Sequence, residues 1–316
     1  MTGPSRSGTR PGETRLARTL GLAAWALALG AGCGGDFDSP TLITEARVLG
    51  SITTVEGDPE RATPAPGETL QLRWVVGQPA DEPRPFTWTL AACLARPSPV
   101  RRPFCVDEPF FAVGETTPTT EAPTATIPVP AIGEQEDLEV LLLGVFCRDG
   151  VPDLARVNDP QDLDAFNVCS EGIGQIIGQS LRVLSDSDNL RPRWPANALL
   201  LNGAPWPGAD ECVPAGTVDL AFGGIENVRR DEVTFTSNDE PPRTIVERED
   251  LLLSHFATAG EMERQWSVFD DDEVPTPLEW SIEARAEATR VRFYFGLRDQ
   301  RGGADFLERE LCIAPG

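Results

Sequence analysis

The stretch "TLQLRWVV", residues 69 to 76, sets Leu70, Leu72, Trp74 and Val76 on one side of an extended chain and Gln71 and Arg73 on the other. Successive side chains of a β-strand point to opposite faces, so this alternation predicts a strand with one face buried. "FTWTL" repeats the pattern with Phe86, Trp88 and Leu90, "TVDLAF" with Val218, Leu220 and Phe222, and "TRVRFYFGL" with Val291, Phe293, Phe295 and Leu297. "LEVLLLGVF", 138 to 146, is apolar on both faces, which suits a strand at the centre of a sheet. The 29 prolines and 29 glycines in 316 residues are more punctuation than a helical protein tolerates. Only "EREDLLLSHFATA", 247 to 259, suits helix and strand equally.

Working outward from residue 69, the halves of the chain match in order. "PAPGETLQL" (64 to 72) resembles "VPAGTVDL" (213 to 220), "LLGVFCRDG" (142 to 150) resembles "FYFGLRDQRGG" (293 to 303), and "ARVL" (46 to 49) resembles "ALLL" (198 to 201). Thr69 then falls on Thr217 and Asp149 on Asp299, at nearly equal offsets, which predicts a tandem pair of similar domains. About seven short strands per unit, with proline and glycine turns, read as immunoglobulin-like β-sandwiches. The expected boundaries are a first domain over 42–187 and a second over 188–316. The first copy is expected to end in a strand "GQSLRVL" (178 to 184) after a loop insertion over 150–174, and the second in "FLEREL" (306 to 311).

The seven cysteines, read with the segment before the first of them, predict a protein outside the cytosol. Residues 19 to 32, "TLGLAAWALALGAG", carry no charge and follow Arg6, Arg10, Arg15 and Arg18. This is the pattern of a secretory signal peptide, expected over 1–32. As a helix the apolar run would rise only about 21 Å against a hydrocarbon core of ~30 Å, so a permanent membrane span is the weaker reading. Gly30, Ala31 and Gly32 before Cys33 resemble the lipobox of bacterial lipoproteins, although the usual leucine three places before the cysteine is here Gly30. The resemblance implies that Cys33 is lipidated and becomes the first residue, with 33–41 as a short tether. The alternative is an ordinary secreted protein with Cys33 free.

Without Cys33 the count is even: Cys93, Cys105, Cys147, Cys169, Cys212 and Cys312. In an exported chain these read as disulfides, and with no C-x-x-C and His255 the sole histidine, zinc spacing is absent. Fifteen pairings exist. Proximity and the domain division favour Cys93 with Cys105, Cys147 with Cys169 and Cys212 with Cys312.

The chain has 27 basic and 50 acidic residues, a formal net charge of −23. Nucleic acid and anionic lipid headgroups are poor partners for such a surface. Two acidic runs suit a calcium ion, which takes six to eight oxygens. They are "SDSDN" (185 to 189), with Asp186 and Asp188, and "FDDDEVP" (269 to 275), with Asp270, Asp271 and Asp272. Neither has EF-hand spacing, and solvated acidic loops are the plainer reading. No other cofactor is expected.

Catalytic signatures are sparse. His255 is the one conventional general base near neutral pH, it lies in an apolar stretch, and no G-x-S-x-G elbow accompanies Ser254. "GIGQIIG" (172 to 178) misses the dinucleotide fingerprint by one residue and reads as a loop entering a strand. Trp194, Trp206, Trp266 and Trp280 could line a sugar-binding surface; Trp194 and Trp206, beside prolines, are expected at the surface.

Taken with the Cys33 signature, "PAPGETLQLRW", "CLARPSPVRRPFC", "SHFATAGEM" and "LRDQRGGADFLEREL" resemble a group of envelope lipoproteins of Gram-negative bacteria with GC-rich genomes. Their domains are similar to bacterial Ig-like or PKD-like modules. The resemblance implies a lipid-anchored protein of the outer membrane, facing periplasm or cell surface, with a structural or binding role, no catalysis, and a protein or glycan partner. The rival expectations are a carbohydrate-binding or adhesive module and, less favoured, a hydrolase dependent on His255.

Overall fold

The computed structural model describes residues 39–79, 83–96, 104–131, 139–154, 168–172, 174–183, 189–236, 243–270, 275–299 and 301–316. Cys33 and the expected signal peptide lie outside the described residues. The chain is all-β in several sheets, with a single-turn 3-10 helix at Ile225–Asn227. Among the described residues no helix is long and apolar enough to cross a membrane.

The first half contributes β1 (Arg47–Val55), β2 (Thr69–Gly77), β3 (Phe86–Arg96), β4 (Phe104–Cys105), β5 (Phe111–Thr119), β6 (Thr124–Pro128), β7 (Glu139–Cys147) and β8 (Gly174–Arg182). One sheet runs β1-β2-β6, and the other runs β4-β3-β7-β8 with β5 also pairing β3. Leu70, Leu72 and Trp74 from the first sheet pack against Phe86, Trp88, Leu90, Val140, Leu142 and Phe146 from the second. Each large apolar side chain so buried contributes roughly 1.5–3 kcal/mol on leaving water. All nine residues of β7 are buried. Its second face carries Leu141 and Leu143 under the Cys93–Cys105 disulfide and Val145 beside Cys147–Cys169, so this strand is covered on both sides.

The second half contributes β9 (Leu199–Leu201), β10 (Ala204–Pro205), β11 (Cys212–Val213), β12 (Gly216–Phe222), β13 (Glu232–Thr236), β14 (Thr244–Arg248), β15 (Leu251–Ala257), β16 (Glu261–Met262), β17 (Trp266–Phe269), β18 (Leu278–Ile282), β19 (Thr289–Arg298) and β20 (Ala304–Ile313). Its sheets run β10-β9-β12-β18-β16 and β11-β20-β19-β15-β17, with β13-β14 as a separate hairpin. They enclose a second core of Val218, Leu220, Phe222, Trp280, Phe293 and Phe295 among others. β11 joins β20 in parallel, opposing Cys212 to Cys312, and the Cys212–Cys312 disulfide fastens the pair.

The halves are packed together. Ile43, Leu49, Ile52 and Val75 of the first meet Phe256, Tyr294 and Phe306 of the second in a third apolar cluster. β1 carries one extra residue at Leu49, a β-bulge between Val48 and Gly50. Arg298 donates through Nη2 to the Leu49 carbonyl at 2.6 Å. Before β1 the chain adds itself to β15: Ile43 N donates to Ala257 O at 2.8 Å and Ala257 N to Thr41 O at 3.0 Å.

One open assignment is resolved and two expectations are corrected. "EREDLLLSHFATA" holds strand β15, because Leu251, Leu253 and Ala257 face the core while Phe256 fills the cluster between the halves. The last strand of the first half is β8, residues 174–182, and not 178 to 184. "GIGQIIG" is therefore largely strand and not loop. Gly174 is there for close approach, since a Cβ on it would lie 2.5 Å from Cys169 Sγ.

Candidate functional site

Five strand ends meet at one edge of the first sandwich and leave a cleft of about 410 Å³. β1, β3 and β8 begin here and β2 and β7 end here, so alternation along each strand delivers its last apolar side chain to the floor. Val48, Val76, Phe86 and Phe146 form that floor. Phe146 is fixed edge-on against Trp74 with ring centroids 5.5 Å apart, and Phe86 lies 6.1 Å from it. The rim is polar. Arg148 Nη2 donates to Glu45 Oε1 at 2.8 Å, an exposed pair of the kind that contributes ~1 kcal/mol or less. Arg47 donates to Pro40 O at 2.8 Å and stands 5.7 Å from the Phe256 ring centroid. Gln175 closes one wall, accepting from Val48 N at 2.8 Å and donating to Val48 O at 2.9 Å. An apolar floor under a few fixed polar groups suits a small amphipathic molecule.

Two other concavities have different characters. One of about 460 Å³ lies at the end of the second sandwich beside Glu261, Glu283 and Arg285. Another of about 500 Å³ lies where the halves meet, between β1, β8 and the β19–β20 hairpin.

His255 lines none of these clefts. It is fully buried, stacked on Phe222 at 5.5 Å, with Nδ1 3.4 Å from Arg264 O and Nε2 without a partner. Burial pushes its pKa down to about 4, so the ring is neutral at pH 7. Ser254 Oγ accepts from Arg298 at 3.4 Å and is not presented to the histidine by any hydrogen bond.

The tryptophans are distributed otherwise than expected. Trp194 and Trp206 both pack against the second core, and Trp206 Nε1 donates to Glu310 O at 2.8 Å. Trp206 reaches past its prolines to stand edge-on to Phe293 at 5.5 Å, which the local sequence does not announce. Trp280 is fully buried. Trp266, on the edge strand β17, is 56% exposed with Val268 beside it at 38%.

Asp270 is exposed at the end of β17. Asp186, Asp188, Asp271 and Asp272 lie outside the described residues. Among the described residues no group of three His, Cys, Asp or Glu side chains is placed to hold a metal ion.

A buried charged cluster, not foreseen from the sequence, sits at the tip of the β19–β20 hairpin. Arg301 donates to Asp231 at 2.6 Å and to Glu249 at 2.8 Å. Asp299 Oδ1 accepts from the backbone of Arg301 at 2.8 Å and of Gly303 at 2.7 Å, while Oδ2 is buried without a partner. Burial, then the nearby Glu249 charge, raise the Asp299 pKa to about 6. The cleft residues Glu45, Arg47, Arg148 and Gln175 were also missed: each sits at a strand end, and only the pairing register brings them to one place.

Fold and clefts together define a disulfide-stabilised all-β protein with ligand-sized concavities. No protein-family model matches the chain, and none of the curated proteins matches it.

Proposed function

We propose that this chain is a lipid-anchored protein of the bacterial cell envelope, held through Cys33, in which two tandem immunoglobulin-like domains form one binding scaffold without catalysis. The observation that carries the reading is the cysteine arithmetic: the six cysteines beyond Cys33 are engaged in three disulfides. This leaves Cys33, after its apolar run, as the odd one. Disulfides belong to oxidising compartments, and a small-residue stretch before an odd cysteine suits lipoprotein processing.

The strand orders support the finer reading of the domains. In the first half β1-β2-β6 faces a sheet in which β3, β7 and β8 are neighbours, the arrangement of strands A, B, E against C, F, G. In the second half β9-β12-β18-β16 matches A, B, E, D against β20-β19-β15-β17 as G, F, C and a further edge strand. The paired words of the sequence fall on equivalent strands: Thr69 opens β2 and Thr217 lies in β12, while Asp149 and Asp299 follow β7 and β19.

Intact and peptide mass analysis of protein taken from its native envelope, with free thiols alkylated before reduction, tests this reading. A mature chain beginning at an acylated Cys33, with the other six cysteines resistant to alkylation, supports it. An unmodified or absent Cys33 with the rest of the chain secreted overturns the anchor.

Exposed Trp266 and Val268 favour a second reading, a carbohydrate-binding or adhesive module that presents β17 to a glycan. Glycan-array binding lost in Trp266→Ala would support it.

A further inference from the structure

The cleft between the halves holds an arginine that meets no carboxylate among the described residues. Arg298 ends β19 half-buried, with Nη2 on the Leu49 carbonyl at 2.6 Å, Nη1 on Ser254 Oγ at 3.4 Å and its guanidinium carbon 5.6 Å from the Phe306 ring centroid. Burial lowers its pKa, with no acidic neighbour opposing the shift. The two acids nearest in sequence along the hairpin are occupied elsewhere. Asp299 takes the backbone N–H groups of Arg301 and Gly303, and Asp305 takes Trp194 N at 3.0 Å. In a protein with net charge −23 an arginine that lines a cleft without an acidic partner is a feature to explain.

The surroundings suit an anion with an apolar part. The cleft, about 500 Å³, is lined by Leu49 and Ile177, with Ser51 and Gln179 along one side and no Asp or Glu among its described lining residues. Gly50, Gly178, Gly302 and Gly303 complete the lining, and at Gly50 the missing Cβ makes room for the Arg298 guanidinium. The other clefts differ: at the sandwich end Arg148 is paired with Glu45, and at the far end Arg285 stands with Glu261 and Glu283. One guanidinium presents a planar fork that matches one carboxylate, whereas a doubly charged phosphate calls for further cations that the lining lacks.

We propose that the cleft between the halves binds a small organic carboxylate, its carboxyl group on Arg298 and its hydrocarbon part against Leu49 and Ile177. This site does not depend on the lipid anchor or on the glycan reading.

Calorimetric titration of the purified full chain with butyrate and benzoate, against butyramide, benzamide and inorganic phosphate, tests it. The acids are expected to bind saturably, the amides and phosphate at least tenfold more weakly, and Arg298→Gln, which keeps an N–H for Leu49, to weaken the acids at least tenfold. Because that variant can disturb the bulge, a second measurement uses the unaltered protein. Benzoate should slow phenylglyoxal modification of Arg298 at least threefold and leave exposed Arg84 unchanged. No binding of either acid, equal binding of acid and amide, tighter binding of phosphate, undiminished binding by Arg298→Gln, or no protection of Arg298 would each overturn the proposal.

Discussion

Gln175 holds Val48 by both of its backbone groups, accepting from the amide at 2.8 Å and donating to the carbonyl at 2.9 Å. A side chain of β8 thus does for β1 what a neighbouring strand would do, across the open edge between the two sheets. Gln175→Glu keeps an acceptor for Val48 N and sets a second oxygen against Val48 O. The lost bond and the unpaired carbonyl predict a loss of about 1–3 kcal/mol. Denaturant titration checks this: a lower midpoint at unchanged slope is expected, and an unchanged midpoint would show that water replaces the bond.

Phe306 is gripped between two glycines. A Cβ on Gly50 would lie 2.7 Å from its Cζ and also 2.7 Å from Arg298 Nη2, and a Cβ on Gly296 would lie 2.9 Å from its Cε1. The ring therefore has nowhere to retreat when Gly50 is enlarged. Gly50→Ala is expected to cost ~1–3 kcal/mol by overpacking. With Ile43, Leu49, Ile52 and Val75 sharing one cluster with Phe256 and Tyr294, the halves are expected to unfold together. Calorimetry should give one transition, at a lower temperature in the variant; two separated transitions in the parent would refute the coupling.

The inner faces were legible in the sequence because each alternating word keeps its own register. Leu70, Leu72 and Trp74, or Phe293 and Phe295, face inward whatever the partner strand. The meeting of the halves was not legible. Val75 and Tyr294 occupy outer-face positions of their strands, where a tyrosine or valine signals nothing, and both are buried only because the other half covers them. The same holds for the clefts, whose residues come from three or more strands, and for Arg301, which finds Asp231 and Glu249 across 70 and 52 residues of chain. The cysteines were more legible, since nearest neighbours and a two-domain division lead to the same three pairs that the structure bonds.

Two of those bonds differ greatly in the loop they close. Cys212 and Cys312 are separated by 100 residues, Cys93 and Cys105 by 12. On the chain-entropy account the first stabilises by about 5 kcal/mol and the second by about 3 kcal/mol. Replacing both members of each pair by alanine and comparing chemical unfolding should give the larger loss for Cys212 and Cys312. That bridge also fastens the short parallel pairing of β11 with β20, so faster amide exchange at Cys212 and Val213 should accompany the loss. A larger loss from the Cys93 and Cys105 pair would mean that packing over β7 outweighs loop closure.

Asp299 and His255 give the stability of the protein two opposite dependences on pH. The folded pKa of Asp299 is raised from 3.8 to about 6, so the fold prefers its protonated form. Its contribution is fully present below 3.8 and is lost as pH rises through 6. The folded pKa of His255 is lowered from 6.5 to about 4, so the fold prefers the neutral ring. That contribution is present above 6.5 and is lost as pH falls through 4. Each is worth ~3 kcal/mol, and the two windows overlap between pH 4 and 6. The parent protein should therefore show little net change from these two groups across that window. Asp299→Asn leaves the histidine alone, and its stability should fall as the solution is acidified from 6.5 to 4. His255→Phe, which can keep the stack on Phe222, leaves the carboxyl alone, and its stability should rise over the same interval. Denaturant midpoints of the three proteins at half-unit steps of pH decide the matter, since parallel profiles would show that neither buried group titrates as its surroundings dictate.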